Sequence, residues 1–119
     1  MRTVLVVEDE FGAAEVLVAV LEEQGYRVLA AANGRDGLRT LSEHQVDLVV
    51  TDFMMPLMDG AALGRAMHED PKLAAIPVLM MSGTPESALR QRFDGYAAFL
   101  RKPFRASEFL AAVRGVLAR

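Results

Sequence analysis

The architecture of this chain is most readily inferred from one segment, Val49-Val50-Thr51-Asp52-Phe53-Met54-Met55-Pro56-Leu57-Met58-Asp59-Gly60. It begins inside a continuously apolar run that predicts a strand over 46–51, which the charged residue Asp52 ends. Pro56 and Gly60 break regular structure, so a loop is expected after Asp52, followed by a helix to about Glu69. A buried strand that leads through a loop into a helix is typical of α/β proteins.

The rest of the chain alternates strands and helices in the same way. Apolar runs predict strands over residues 3–7, 26–31, 46–51, 76–81 and 96–100. Helical spacing and breaking residues predict helices over 11–24, 33–43, 60–69, 85–93 and 104–117. Such alternation implies βαβ crossovers, and therefore a doubly wound five-stranded parallel sheet. We expect strand order 2-1-3-4-5 in a flavodoxin-like three-layer α/β/α sandwich.

Composition limits the classes of protein that need to be considered. The chain has 119 residues, of which 52% are hydrophobic, and a single domain over residues 1–119 is expected. Because there is no Cys, disulfides, thiolate metal sites and Cys nucleophiles are excluded. No apolar run could span a bilayer and no signal peptide is visible, so we expect a cytoplasmic protein without membrane contact.

Charge is distributed unevenly along the chain. The net charge is −3, but residues 1–60 contain 4 basic and 11 acidic side chains, whereas the remainder contains 9 basic and 5 acidic ones. The basic residues are spread out rather than clustered, which argues against direct nucleic-acid binding.

Charged and hydroxyl residues stand at the ends of four predicted strands. Glu8-Asp9 ends the first strand and Asp52 the third, while Ser82 and Lys102 follow the fourth and fifth. Ligands of open α/β sheets bind at this edge, where the strand order reverses. Because the first and third strands are neighbours in the expected order, the three carboxylates should converge, with Lys102 and Ser82 able to reach the same crevice.

This set of residues predicts phosphoryl-transfer chemistry. Crowded carboxylates repel one another unless a cation lies among them, and hard oxygen ligands suit Mg²⁺, with Mn²⁺ as a second possibility. The backbone carbonyl of Met54 could complete the metal site. Asp52 is the natural nucleophile, since a carboxylate can form an aspartyl phosphate. Lys102 and Ser82 could contact the phosphoryl oxygens. Taken singly, Asp9 could equally be a helix cap and Ser82 a turn residue.

Together these residues resemble the receiver domain of two-component response regulators, over the whole chain. The resemblance rests on Glu8-Asp9, on Asp52 within the segment 49–60, on Ser82-Gly83 and on Lys102-Pro103-Phe104. It implies that Asp52 accepts a phosphoryl group from a phosphohistidine of a sensor histidine kinase or a histidine phosphotransfer protein. It also implies a signalling domain that assists its own phosphorylation and dephosphorylation, and not an enzyme in the ordinary sense.

The resemblance assigns further roles to individual residues. Asp9, Asp52 and the carbonyl of Met54 would ligate Mg²⁺, while Glu8 would hold a metal-bound water and Lys102 would pair with the phosphoryl group.

The resemblance also implies a conformational switch. Ser82 would move toward the phosphoryl group, and Phe99, at the aromatic switch position, would rotate inward. The face formed by helix 4, strand 5 and helix 5 would then change shape for a downstream effector or output domain that the sequence does not identify. A cis peptide between Lys102 and Pro103 is also implied.

Three features depart from the family pattern. The interval from Ser82 to Lys102 is 20 residues, about two fewer than expected, so helix 4 should be short. Tyr96 stands where a small residue is usual. Met54 is bulky, and we hypothesise that Met54 and Thr84 together screen the attacking water and slow self-dephosphorylation.

Other readings of the sequence are weaker. A degenerate receiver that serves as a phosphorylation-independent interaction module is the main alternative, although every chemical position is filled. A flavin-binding protein would need a Gly- and hydroxyl-rich loop in place of Glu8-Asp9-Glu10, and a haloacid-dehalogenase-type phosphatase would need an Asp-x-Asp motif at Asp52. The sequence leaves open the cognate kinase, the pathway, the oligomeric state, the phosphoryl lifetime, and whether the domain stands alone.

Overall fold

The computed structural model describes residues 1–119 and confirms the alternation of strands and helices. The strands are β1 (Thr3–Val7), β2 (Arg27–Ala31), β3 (Leu48–Asp52), β4 (Val78–Ser82) and β5 (Ala98–Arg101). The helices are α1 (Phe11–Glu23), α2 (Gly34–Glu43), α3 (Gly60–Glu69), α4 (Glu86–Arg90) and α5 (Ala106–Leu117). None of the helices has the length and apolar character needed to cross a membrane.

The strands form one parallel sheet in the order β2-β1-β3-β4-β5, as predicted. Every residue of β1, β3 and β4 is buried, whereas the edge strands β2 and β5 are partly exposed. The central strands read as continuous apolar runs because both of their faces are covered by helices.

Alternate residues of each central strand enter two separate cores. Leu5 and Val7 of β1 pack in a cluster with side chains of α2, α3 and α4, whereas Val4 and Val6 pack with side chains of α1 and α5. The molecule therefore has the expected three layers, with α2, α3 and α4 on one face of the sheet and α1 and α5 on the other.

Several strands begin later than the sequence predicted. Those expected over 46–51, 76–81 and 96–100 each begin two residues further on. Val46 is buried, and Ile76 and Tyr96 are partly buried against the same core cluster. Because these side chains pack on the core from the preceding turn, their apolar character does not mark strand pairing. The shift makes Asp52 and Ser82 the last residues of β3 and β4.

Helix α4 is short, as expected, and shorter than the predicted range 85–93. It ends at Arg90, and the chain then turns so that Phe93 enters the core against α3. A Cβ built on Gly64 of α3 would lie 2.5 Å from the Phe93 ring, so the missing side chain of Gly64 creates the space that the ring fills.

Candidate functional site

The sheet register brings the predicted carboxylates together. Val7 of β1 pairs with Thr51 of β3, so the next residue of each strand, Glu8 and Asp52, lies at the same edge. Carboxylate oxygens of Glu8, Asp9 and Asp52 all lie within 4.8 Å of one another. Glu8 and Asp52 are buried, at 4% and 8% exposure, while Asp9 is exposed. The expected convergence is therefore present.

Lys102 extends into this cluster from the end of β5. Its Nζ donates a hydrogen bond to Glu8 Oε1 at 3.1 Å and lies 3.2 Å from Asp52 Oδ1. Its backbone N–H donates to the carbonyl of Ser82 at 2.8 Å, which fixes the residue beside β4. The Lys102–Pro103 peptide is cis, as the resemblance implied.

Burial sets the electrostatics of the cluster. Burial raises the pKa of Glu8 and of Asp52 above their ordinary values, although hydrogen bonds and the Lys102 charge act in the opposite direction. For Lys102, burial alone would lower the pKa, but the hydrogen bond to Glu8 and the charges of Asp52 and Glu8 outweigh it, and the pKa is raised. Lys102 thus stays charged at neutral pH. Its single positive charge does not neutralise the negative charge that the carboxylates of the cluster can carry.

The donor set fits a divalent cation. Asp9 takes part in no hydrogen bond or ion pair, and the carbonyl of Met54 accepts no hydrogen bond from the protein. Carboxylate and carbonyl oxygens are the hard ligands that Mg²⁺ prefers. The cluster of Glu8, Asp9 and Asp52 could therefore bind a metal ion.

The side chains of Ser82 and Phe99 contact their own neighbours and not the carboxylates of the cluster. Ser82 is buried, and its Oγ lies 2.7 Å from Thr84 Oγ1 and accepts a hydrogen bond from the Thr84 backbone N–H at 3.0 Å. Phe99 is half-buried on β5 opposite Met80, and its ring centroid is 6.3 Å from that of Tyr96. The structure therefore brings Glu8, Asp9, Asp52 and Lys102 together and leaves the Ser82 hydroxyl engaged with its own loop.

Tyr96 connects β5 to α4 through its hydroxyl group. The hydroxyl donates to Glu86 Oε2 at 2.6 Å, and Arg90 Nε donates to the Tyr96 hydroxyl oxygen at 3.4 Å. The hydrogen bond from the Tyr96 hydroxyl is the main cause of the lowered pKa of Glu86. The sequence marked Tyr96 as unusual but gave no indication of its partners.

A second contact near the site could not be predicted from the sequence. Arg92, in the segment after α4, forms an ion pair with Asp59 and lies over the ring of Phe53, 5.8 Å from its centroid. Arg92 and Asp59 are separated by 33 residues, and no motif marks either one as a partner of the other.

A family comparison identifies the kind of domain to which this fold belongs. The model of the response regulator receiver domain family matches residues 4–114. The chain belongs to this family. It is a receiver domain of the two-component type, which serves as a phosphorylation-dependent signalling switch, and the flavodoxin-like fold predicted from the sequence is confirmed.

Related receiver domains cover nearly the whole chain. The response regulator Rre1 of Synechocystis sp. is 37% identical over 98% of this chain and 52% of its own length. The receiver domain of a signal transduction histidine kinase from Syntrophus aciditrophicus superposes with a TM-score of 0.91 at 35% identity, covering 99% of this chain and 91% of that one. This receiver domain thus spans about half the length of the curated relatives it matches.

A second solved structure shares the fold at lower identity. The receiver domain of a sensor histidine kinase from Pseudomonas aeruginosa superposes with a TM-score of 0.91 at 23% identity, covering 99% of this chain and 98% of that one. That structure holds a magnesium ion coordinated in its active site cleft.

Proposed function

We propose that this receiver domain accepts a phosphoryl group on Asp52 from a phosphohistidine of a sensor histidine kinase or a histidine phosphotransfer protein. The observation that carries the proposal is the position of the Asp52 carboxylate, between Lys102 Nζ at 3.2 Å and two further carboxylates. An Asp52 oxygen forms the new bond to phosphorus as the P–N bond breaks. The imidazole leaves with that electron pair, as a neutral ring if its other nitrogen carries a proton.

Glu8, Asp9, Asp52 and the Met54 carbonyl are the groups proposed to hold Mg²⁺, directly or through water, and Mn²⁺ suits the same ligands. When bound, Mg²⁺ supplies positive charge against the carboxylates and the phosphoryl oxygens. The magnesium-bound receiver from Pseudomonas aeruginosa supports this choice of ion.

Lys102 and Ser82 are proposed to bind the transferred group. The ammonium of Lys102 divides its contacts between Glu8 and Asp52, and a phosphoryl oxygen would offer it a more highly charged partner. The Ser82 hydroxyl would break its contact with the Thr84 hydroxyl and donate a hydrogen bond to a phosphoryl oxygen. Phe99 would rotate inward behind it. The phosphoryl group would thereby favour one of two conformers of the α4–β5–α5 face, which an effector or output domain reads.

The remaining expectations stay predictions. We expect residues 1–119 to form one receiver domain that works in the cytoplasm without direct nucleic-acid contact. We expect the domain to assist its own phosphorylation and dephosphorylation without being a turnover enzyme. We also expect Met54 and Thr84 to slow dephosphorylation. Met54 is two residues from Asp52 and its side chain is exposed.

Phosphorylation by a small donor tests the proposal. The wild type, Asp52→Asn and Asp94→Asn would be incubated with acetyl phosphate, with and without Mg²⁺, and weighed by intact mass spectrometry. Asp94 is an exposed carboxylate without hydrogen bonds, so Asp94→Asn is a matched control. We expect a Mg²⁺-dependent gain of one phosphoryl group in the wild type and in Asp94→Asn, and none in Asp52→Asn. No gain under any condition would favour the degenerate interaction module.

A further inference from the structure

Arg92 joins the segment that follows α4 to the segment that follows β3. Its guanidinium pairs with Asp59 and covers the ring of Phe53. Its backbone carbonyl accepts a hydrogen bond from Arg65 Nη1 of α3 at 2.7 Å, and the adjacent Phe93 ring fills the space beside Gly64. The segment after α4 is thus held on α3 by its backbone and by Phe93, while the Arg92 side chain contacts the neighbouring loop.

The loop 54–59 is only partly packed, since Met55 and Met58 lie against the core cluster while Met54 and Leu57 are exposed. None of its residues is buried, and Leu57 adopts a left-handed backbone with φ of 68°. The loop is closed by a hydrogen bond from Gly60 N–H to the Phe53 carbonyl at 2.8 Å, and the Met58 carbonyl accepts from Gly34 N–H at 3.0 Å. The ion pair of Arg92 with Asp59 adds a further contact at the end of the loop, where no side chain is buried.

Phe53 connects this support to the phosphoacceptor. Its backbone N–H donates to Asp52 Oδ1 at 3.1 Å, and the next residue is Met54, whose carbonyl is proposed to bind the cation. Its ring is buried at 3% exposure with the Arg92 guanidinium over it. Arg92 therefore contacts both ends of the loop, Phe53 at the start and Asp59 at the end.

We propose that Arg92 is a positioning residue for the cation and phosphoryl site. Through Phe53 and Asp59 it holds the loop in the shape that presents the Asp52 carboxylate and the Met54 carbonyl together. This inference rests on the proposed function. Because coupling between sites is reciprocal, cation binding must stabilise the segment after α4 by the same free energy. Arg92 thereby connects the site to the α4 face by a route separate from Ser82 and Phe99.

Simple electrostatics makes the opposite prediction. Arg92 is a positive charge close to an acidic cluster, so its removal should tighten cation binding if charge alone mattered. If Arg92 positions the loop, its removal should weaken binding. The direction of the change therefore separates the two explanations.

The experiment measures Mg²⁺ affinity by isothermal titration calorimetry in the wild type, Arg92→Ala, Asp59→Asn and the double variant. Asn keeps the α3 cap, in which Asp59 Oδ1 accepts from Ala62 N–H, but removes the ion pair. We expect each single variant to bind about fivefold more weakly. The double variant should be no weaker, because both substitutions break the same contact.

Arg90→Ala is the matched control, because Arg90 contacts Glu86 and Tyr96 and lies two residues from Arg92. It removes the same charge and should not weaken Mg²⁺ binding. Arg92→Lys, which keeps the charge but not the planar group, should recover part of the affinity and keeps the test available if Arg92→Ala does not fold. Hydrogen exchange of residues 91–95 should slow on adding Mg²⁺ to the wild type but not to Arg92→Ala.

Arg92→Ala with wild-type or tighter Mg²⁺ affinity would overturn the inference, even if the variant were less stable. A wild type that bound no Mg²⁺ would instead overturn the proposed function and, with it, the premise of this inference.

Discussion

Asp52 is the residue at which the proposed chemistry and folding stability conflict. Its carboxylate is buried and shares the single ammonium of Lys102 with Glu8. Burial raises its pKa above the ordinary value of 3.8, so the folded protein holds this proton more tightly than the unfolded chain does. Ionising Asp52 therefore costs folding free energy when no cation is bound.

The sign of this effect gives a test by substitution. The contribution of Asp52 to the stability of the metal-free protein should fall as pH rises from the ordinary pKa of 3.8 through the raised pKa of the folded state. Asp52→Asn cannot ionise, and its amide oxygen can still accept from Lys102. We expect it to be about 1 kcal/mol more stable than the wild type near neutral pH, with little difference near pH 3.8. Urea unfolding followed by circular dichroism would measure both.

Asp94→Asn should follow the wild type at both pH values, because it changes an exposed carboxylate. If Asp52→Asn were the less stable protein near neutral pH, the Lys102 ion pair would outweigh the desolvation of Asp52.

Residues whose positions follow from the backbone could be predicted from the sequence. Glu8, Asp52 and Lys102 meet because strand ends align in a parallel sheet, and alternation of strands and helices is visible in the sequence. The pairs Arg92–Asp59 and Ser82–Thr84 could not be predicted, because they depend on how a short helix ends and on side-chain conformations in loops.

Element boundaries were predicted less well than element types. The strands β3, β4 and β5 were expected two residues early, since apolar residues in the preceding turns pack on the same core as the strands. Helix α4 was expected over 85–93, but it ends at Arg90, and Phe93 packs against Gly64 after the helix has ended.

The packing of Phe93 on α3 can be tested with two glycines that differ in their surroundings. Gly64 lies in α3, where a Cβ would approach the Phe93 ring to 2.5 Å, whereas a Cβ on Gly115 of α5 would meet nothing within 4 Å. We expect Gly64→Ala to destabilise the protein by about 1–3 kcal/mol, as overpacking does. Gly115→Ala should stabilise it by up to about 1 kcal/mol through helix propensity.

Urea midpoints of the two variants would measure these changes. Equal stabilisation by both substitutions would mean that the Phe93 ring moves aside without cost, and that the segment after α4 is not fixed on α3.

The whole molecule is organised around central strands that serve both cores. β1, β3 and β4 contribute residues to the cluster under α2, α3 and α4 and to the cluster under α1 and α5. If either helical layer lost its packing, one face of these central strands would be exposed to water. The acidic site lies at the carboxyl edge of β1 and β3, so cation binding should stabilise both layers together.

The two tyrosines lie on opposite faces of the sheet, so each can report whether its face unfolds together with the rest of the molecule. The chain has no Trp, and Tyr96 packs against the first cluster while Tyr26 packs against the second. Tyr26→Phe leaves a reporter on the α4 side, and Tyr96→Phe leaves one on the α1 side. In each variant, tyrosine fluorescence and far-ultraviolet circular dichroism should give the same urea midpoint, as expected of one two-state unit.

Mg²⁺ at ten times its dissociation constant should add about 1.4 kcal/mol to the unfolding free energy of both single-tyrosine variants. This equality follows because the ligand binds the folded state as a whole, whichever face carries the reporter. If the Tyr96 signal changed at lower urea than the circular dichroism, the α4 side would be a separate, weaker unit. Mg²⁺ would then stabilise the two faces unequally, and the site would act on the signalling face by shifting a local unfolding equilibrium.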